Sequence, residues 1–296
     1  MNNYLSYKEA VAINSLSPGN QEHDVGIRLR SALNMGIGFK DNQKYYVDSV
    51  NGSDDYDGLS WETPFRTIQY ACNIARYVTG TTTIDTDKSR HKYIFVAPGQ
   101  YNEQILFSGY NIHLIGVSPR SNGDYGVVVN YDNAVTSTAV LGFSGSGLEI
   151  SNICFQSSRA IPIILLSSVS DAVHIHDCWI KGDNSKTVTM GISCAIKNSL
   201  IENNIINGCI TGINVAAGAW FNNSIVRDNK ITNVTNGIAI AATAVPTESQ
   251  ISHNYIVGSS SSIVNSQATD IIITENYVKP VFSDAGSTSG DNVTMS

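Results

Sequence analysis

Charged residues are scarce in this chain. Asp, Glu, Lys and Arg make up 15% of its 296 residues, whereas about 25% is usual in soluble globular domains. A helical bundle covers its outer surface with charged side chains, so the composition argues against that class and favours β structure. The net charge is −7 and the densest basic cluster is Arg28 with Arg30. This excludes the concentrated Lys/Arg patch on which nucleic-acid binding depends.

Long apolar runs and an export signal are also missing. No apolar run approaches the ~18 residues of a membrane span, so no membrane insertion is expected. The first residues, Met1 to Tyr4, lack the charged and then apolar pattern of a signal peptide. We therefore expect synthesis in the cytoplasm without export.

The cysteines are odd in number and lie mostly in apolar segments: Cys72, Cys154, Cys178, Cys194 and Cys209. We interpret them as buried free thiols, in preference to disulfides or metal ligands. No nucleophile elbow, phosphate-binding loop or dinucleotide motif is present, and no cofactor is expected.

What the chain does have is a repeat of about 25 residues. Six segments align on an aliphatic anchor, with intervals of 22–26 residues: Ile150, Ile175, Ile201, Val226, Ile251 and Ile273. Five places after each anchor comes another apolar residue: Phe155, Ile180, Ile206, Ile231, Ile256 and Val278. A further aliphatic series keeps a step of 25: Ile213, Ile238 and Ile263. The alternation indicates strands, and so short a repeat buries its apolar face only by stacking on its neighbours. The predicted fold is all-β, a right-handed parallel β-helix.

Asparagines recur three places after the later anchors: Asn204, Asn229, Asn254 and Asn276. We predict an internal ladder at a sharp bend, in which each asparagine adopts the left-handed conformation and its amide bonds to the neighbouring coils. In the first two coils Ile153 and Cys178 stand three places after the anchor, and we predict apolar stacking there.

The remaining segments differ from the repeat. Residues 1–43 are predicted to be a docking and oligomerisation segment, with a short amphipathic helix carrying Val25, Ile27, Leu29 and Leu33. Residues 44–92 are predicted to hold an initial strand, an acidic loop and a helix that caps the solenoid, with Thr63 as N-cap and Pro64 at the first helical position. The β-helix is assigned to 93–280 and a flexible tail to 281–296.

Candidate catalytic residues follow from the alignment of the coils. Glu202 and Asp228 are the best carboxylate pair, one coil and one residue apart, and a glycosidase needs two such groups with one pKa raised. Arg227 lies directly above Glu202 in the alignment and argues the other way, since a cation lowers a carboxylate pKa. An exposed ladder of ion pairs is the alternative, and we favour it.

Two histidines, an acidic loop and four aromatic residues are further candidates for ligand binding, and each also has a purely structural interpretation. His174 and His176 should both point outward, but no third metal ligand is visible, so no metal site is predicted. The acidic loop Asp54–Gly58 lacks EF-hand spacing and is interpreted as a turn. Outward aromatic residues could stack on sugar rings or form a subunit interface: Trp179, Tyr255, Tyr277 and, in a loop, Trp220.

Residues 45–75, 93–105 and 111–117 resemble the beginning of pectin-lyase-like β-helix proteins of bacteriophages and bacteria, and the resemblance extends over about 45–280. It rests on the loop SVNGSDDYDG, a following Trp and Thr-Pro-Phe, and the strands YIFVAPGQY and NIHLIGV. Residues 12–34 resemble leader segments of phage virion proteins. The resemblance implies a β-helix and, since the superfamily includes lyases, glycosidases, tailspikes and inert spikes, leaves the activity open.

Three functional hypotheses result. The favoured one is a structural virion protein without enzymatic activity: a trimeric β-helix spike, capsid decoration or head fibre, docked on a capsid or tail protein through residues 1–43. Trimerisation is implied by the resemblance and by outward apolar residues such as Ile205. The alternatives are a tailspike depolymerase that uses Glu202 and Asp228, and a non-catalytic adhesin that binds host-surface glycans.

Overall fold

The computed structural model describes residues 43–78, 82–118, 126–132, 138–183, 187–241, 244–265 and 271–279, with the backbone of 282–284, 288–289 and 293–294. The predicted docking residues Val25, Ile27, Leu29 and Leu33 lie outside the described residues, as does most of the predicted C-terminal tail.

Successive coils each add a strand to a first parallel sheet, here called sheet 1. In the described part of the chain it has ten strands: β1 Gln43–Val47, β2 Lys92–Val96, β5 Ile112–Gly116, β8 Glu149–Ser151, β11 His174–His176, β14 Leu200–Glu202, β18 Ile225–Arg227, β21 Ser249–Ser252, β23 Ile271–Thr274 and β26 Thr288–Ser289.

The other strands form a second parallel sheet, sheet 2. Its described strands are β3 Gly99–Tyr101, β4 Ile105–Tyr110, β6 Val127–Asn130, β7 Leu141–Ser146, β9 Cys154–Gln156, β10 Pro162–Asp171, β12 Trp179–Lys181, β13 Val188–Lys197, β15 Ile205–Asn207, β16 Cys209–Val215, β17 Trp220–Asn222, β19 Lys230–Ile240, β20 Val245–Thr247, β22 Tyr255–Asn265, β24 Tyr277–Lys279, β25 Phe282–Asp284 and β27 Val293–Thr294. They stack in two columns, one through β9, β12 and β15 and one through β10, β13 and β16, and β19 and β22 take part in both.

The apolar columns confirm the repeat. Each anchor pairs in register with the next, from Ile150 to Ile273, and every one of the six is fully buried. The series from Phe155 to Val278 stacks in the same way, as does that from Ile213 to Ile263. The predicted all-β parallel solenoid is therefore correct.

The asparagine ladder is also confirmed. The side-chain Nδ2 of Asn204 donates to Oδ1 of Asn229 at 3.0 Å, Asn229 donates to Asn254 at 3.0 Å, and Asn254 donates to Asn276 at 2.9 Å. The predicted backbone conformation was wrong, because the left-handed residue is the one before each ladder position. Positive φ values of 53–58° occur at that preceding position: Asn152, Asp177, Asn203, Asp228, His253 and Glu275. The turn is made there, which leaves the ladder side chain free to point inward.

A second polar ladder, built of serines, lies at the other end of the sheet 1 strands. The backbone N–H of Val173 donates to the hydroxyl of Ser199 at 3.0 Å. In the same way the N–H of Ser199 donates to the hydroxyl of Ser224 at 3.2 Å, and the N–H of Ser224 donates to the hydroxyl of Ser249 at 3.1 Å. The three serines are buried and recur every 25 residues. This spacing was visible in the sequence and was missed.

The helix predicted within residues 44–92 exists but begins later than expected. Helix α1 spans Ile68–Ala75, with Thr67 as its N-cap. Phe65 is extended instead of helical, since its N–H donates to Tyr46 and its carbonyl accepts from Asp48 in hydrogen bonds of 2.8 Å. The helix contacts β1, β2 and β4, and Glu103 accepts the backbone N–H groups of Ile68 and Gln69 at its first turn. Its role as a cap of the solenoid stays a prediction.

The five cysteines are free and buried, as predicted. Burial raises the pKa of the Cys154, Cys178, Cys194 and Cys209 thiols to about 12, which makes them poor nucleophiles at neutral pH. Among the described residues, no helix is long and apolar enough to cross a membrane.

Candidate functional site

The outer face of sheet 1 carries a connected group of ionisable side chains. In a strand, the residues on either side of a buried anchor both point outward. Because β5, β8, β11, β14 and β18 pair in register, these outward residues form two parallel columns. One column contains His113, Glu149 and His174, and the other contains Ser151, His176, Glu202 and Arg227.

Glu149 is the centre of one half of this surface. Its Oε2 lies 2.5 Å from Nδ1 of His113, and its Oε1 lies 3.1 Å from Nε2 of His176. Burial alone would raise the pKa of Glu149, but the hydrogen bonds and charges of the two histidines outweigh burial and lower it well below its ordinary value. Glu149 is therefore a carboxylate at neutral pH and is held from two sides.

His176 is bonded at both ring nitrogens. Its Nδ1 lies 2.6 Å from Oδ2 of Asp177, and its side chain is only 8% exposed. Burial would lower the pKa of His176, but Asp177 and Glu149 raise it to about 9. The neighbouring His174 behaves in the opposite way, because burial and the charge of His176 lower its pKa. The two imidazoles stack with their ring centroids 4.1 Å apart.

The predicted carboxylate pair occupies the other half of the surface. Glu202 accepts from Nε of Arg227 at 2.9 Å and lies 3.0 Å from Nε2 of His174, and Arg227 also lies 3.7 Å from Asp228. Burial acts to raise the pKa of Glu202, but the hydrogen bonds and charges of Arg227 and His174 lower it overall. A glycosidase acid needs the reverse shift. The arginine placed above Glu202 by the alignment is confirmed, and the geometry fits an ion-pair ladder.

The expectation that no third ligand lies near the two histidines was wrong. A donor atom from each of Glu149, His174 and His176 lies within 4.8 Å of the others. Glu149 stands one place before its anchor and one coil earlier, directly opposite His174. The candidates taken from the alignment of the coils all follow their anchors, whereas Glu149 precedes its own.

The candidate aromatic residues do not form one surface. Tyr255 and Tyr277 stack with centroids 5.7 Å apart and are 40% and 42% exposed. Trp179 is three coils from Tyr255, separated by Ile205 and Lys230 in the same column. Trp220 lies on β17, where the ammonium of Lys197 covers its ring at 4.2 Å. Only the tyrosine pair offers two adjacent faces.

Two carboxylates of the acidic loop, Asp54 and Asp57, accept hydrogen bonds from the segment between this loop and helix α1. Asp54 accepts from the backbone N–H groups of Arg66 and Thr67 and from the Thr67 hydroxyl. Asp57 accepts from the Thr63 hydroxyl at 2.6 Å and from the N–H of Leu59. The interpretation of this segment as a turn before the helix is confirmed.

Comparison with known proteins identifies the family. A family model described as "Protein of unknown function (DUF1565)" matches residues 50–293. The chain belongs to this family. No curated protein matches it.

Solved structures similar to this family member are pectin-degrading enzymes and relatives. The pectate lyase Pel9A has 14% identity over 86% of this chain and 71% of that chain, with a TM-score of 0.51. Escherichia coli ybhc has 13% identity, coverage of 84% and 75%, and a TM-score of 0.48. The pectin methylesterase from Aspergillus niger has 16% identity, coverage of 84% and 85%, and a TM-score of 0.43. At this identity the similarity to Pel9A shows the fold alone, a pectin-lyase-like right-handed parallel β-helix.

Proposed function

We propose that this protein is a structural β-helix spike of a bacteriophage particle, attached to the capsid or tail through residues 1–43 and assembled as a homotrimer. The observation that carries the proposal is the ion pairing of Glu202 and Asp228, the best candidates for a catalytic carboxylate pair. Arg227 lies within ion-pairing distance of both Glu202 and Asp228, and the pKa of Glu202 is lowered. A rigid solenoid without a working acid–base pair at this position fits a display or decoration role better than a depolymerase.

The sequence supports the location on a particle. Residues 12–34 resemble leader segments of phage virion proteins, and the loop and strands from 45 to 117 resemble phage and bacterial β-helix proteins. Low charge and abundant Asn, Ser and Thr suit a rod whose surface is covered by uncharged polar groups. Outward apolar side chains such as Ile205 and Ile210 support association with further copies of the chain.

The copy number of this chain in purified particles tests the location. Quantitative mass spectrometry, with the major capsid protein as the internal reference, should find dozens of copies or more. Absence from particles would overturn the virion role. The mass of the purified full chain at micromolar concentration tests the assembly, and a monomer there would refute the trimer.

The depolymerase alternative makes a distinct prediction. If Glu202 and Asp228 were acid and base, Glu202→Gln and Asp228→Asn would each abolish cleavage of the host polysaccharide. We expect the unaltered chain to release no product from that polysaccharide under the same conditions. Product release that is lost in both variants would establish the enzyme and refute the structural role.

Binding of host glycans without cleavage is a second candidate, favoured by the stacked Tyr255 and Tyr277. Two parallel aromatic faces 5.7 Å apart can each lie against a sugar ring. Saturable binding of surface glycan should fall at least tenfold in Tyr277→Ala and stay unchanged in Trp220→Ala, whose ring is covered by Lys197. Equal binding by both variants would remove the tyrosine pair from the proposal.

A further inference from the structure

Two histidines on one strand place their imidazoles side by side on the outer face of sheet 1. His174 and His176 flank the inward Ile175 on β11, so the pleat turns both side chains to the outer face of sheet 1. Their rings stack at 4.1 Å, which places four ring nitrogens in a small volume. Imidazole nitrogen is a preferred ligand of zinc, copper, nickel and iron, whereas calcium and magnesium prefer oxygen.

Glu149 on the preceding coil supplies a carboxylate to the same place. Its Oε1 is 3.1 Å from Nε2 of His176, and a donor atom of each of the three residues lies within 4.8 Å of the others. In a tetrahedral zinc site the metal–ligand distances of ~2.0–2.2 Å put two donors about 3.4 Å apart. The three donors therefore need only small side-chain adjustments to meet one ion.

Each of the three side chains is also oriented by a further group. Asp177 lies 2.6 Å from Nδ1 of His176, Glu202 lies 3.0 Å from Nε2 of His174, and His113 lies 2.5 Å from the second oxygen of Glu149. Carboxylates that hold the far nitrogen of a ligating histidine are the usual outer partners of protein metal sites. Asp177 and Glu202 are partners of this kind, and His113 holds the carboxylate of Glu149 in place.

We propose that Glu149, His174 and His176 bind one divalent transition-metal ion, with zinc as the reference ion, and that Nε2 of His176 releases its proton to solvent as the ion binds. The ion would join β8 to β11 across two successive coils and so act as a cross-link between repeats. The proposal is independent of where the protein is displayed.

Zinc binding by the full chain tests the proposal directly. After treatment with a chelator and its removal, equilibrium dialysis against zinc chloride with elemental mass spectrometry should give one ion per chain at saturation. His174→Gln and Glu149→Gln should each weaken zinc binding at least tenfold. Circular dichroism must show the native spectrum for both variants, which is expected because both side chains lie on the outer face.

A matched control lies in the bends that follow β21 and β23 of the same sheet. His253 and Glu275 form a histidine–carboxylate pair at 2.6 Å, but neither belongs to a described cluster of three donors. His253→Gln should leave the zinc affinity and stoichiometry unchanged. Loss of binding in this variant, or full binding in His174→Gln, would overturn the assignment, as would the absence of zinc binding by the unaltered chain.

Substitution of Asp177 tests whether the groups that orient the ligands contribute to zinc binding. Asp177→Asn preserves the size of the side chain, and asparagine tolerates the positive φ of 53° at this position. Loss of an outer-shell carboxylate typically weakens metal binding about 10- to 100-fold, so a tenfold fall in zinc affinity is expected with one ion still bound. Unchanged affinity in this folded variant would contradict the orienting role given to Asp177.

Discussion

The asparagine ladder gives the sharpest test of what holds the coils together. Asn229 is in its middle: Oδ1 accepts the backbone N–H of Asn204 at 3.1 Å, and Nδ2 donates to the carbonyl of Ile201 at 2.9 Å and to Asn254. Its side chain is buried, so water cannot replace these partners. Asn229→Ala takes this side-chain partner from two backbone groups of the preceding coil, the N–H of Asn204 and the carbonyl of Ile201. It also removes one hydrogen bond each from the carbonyl of Arg227 and from the side chains of Asn204 and Asn254.

The size of the effect follows from the two backbone groups. A buried polar group that loses its partner costs about 1–3 kcal/mol, so the two together predict a loss of about 4 kcal/mol in the free energy of unfolding. Urea unfolding of the full chain, followed by far-ultraviolet circular dichroism, measures this as a shift of the midpoint at constant slope.

Asn214→Ala is the matched control. Asn214 stands between the inward Ile213 and Val215 of β16, so its side chain is on the outer face. The same deletion of an amide should cost no more than about 0.5 kcal/mol there. Equal losses at Asn229 and Asn214 would refute the reasoning, because the ladder would then contribute nothing beyond an ordinary polar side chain.

Two further predictions concern a buried ion pair and the close approach of neighbouring coils. Asp85 and Lys92 are 3% and 1% exposed and pair at 2.9 Å, so Asp85→Asn leaves a buried ammonium uncompensated and should cost about 3–5 kcal/mol in urea unfolding at pH 7. Burial acts to raise the pKa of Asp85, but Lys92 lowers it overall; the pair therefore stabilises the fold above the ordinary aspartate pKa, and this contribution is lost as the pH falls through the folded-state value. Asp85→Asn should accordingly flatten the fall of the urea midpoint below pH 4, and an unchanged acid limb would contradict this. A Cβ at Gly116 would overlap sterically with the carbonyl oxygen of Asn152 in the next coil. Gly116→Ala should therefore lower the melting temperature by more than Gly218→Ala, where the added atom meets open space and only the positive φ opposes it. An equal or smaller loss at Gly116 would show that the coils can separate there.

The sequence by itself determined the architecture. Aliphatic anchors at 22–26-residue intervals cannot be buried within one repeat, so they must stack between repeats, and stacking of equivalent residues sets the register from Ile150 to Ile273. The same argument placed Arg227 above Glu202 and the asparagines in one buried column. These features depend only on periodicity, which a single sequence displays completely.

The start of the helix and the backbone conformation at the bends depended on local hydrogen bonds, which the periodicity of the sequence does not describe. Thr63 and Pro64 have the sequence of a helix start, yet pairing of Phe65 with Tyr46 and Asp48 keeps that segment extended. The capping hydroxyl is instead that of Thr67, which accepts the N–H of Tyr70 at 3.2 Å. At the bend, the residue before each ladder asparagine takes the left-handed conformation, because the asparagine side chain must point inward.

Only the tertiary structure brought Glu149 to His176 and so joined the three residues in one cluster. The three residues do not repeat along the chain, and the donor on the earlier coil precedes its anchor while His176 follows its own. Their meeting depends on side chains that reach diagonally across paired strands, with Glu149 bonded to His176 while it lies opposite His174. The column one place before the anchors contains Glu149 and His174, whereas the diagonal bond to His176 depends on side-chain direction, which is a property of the folded sheet.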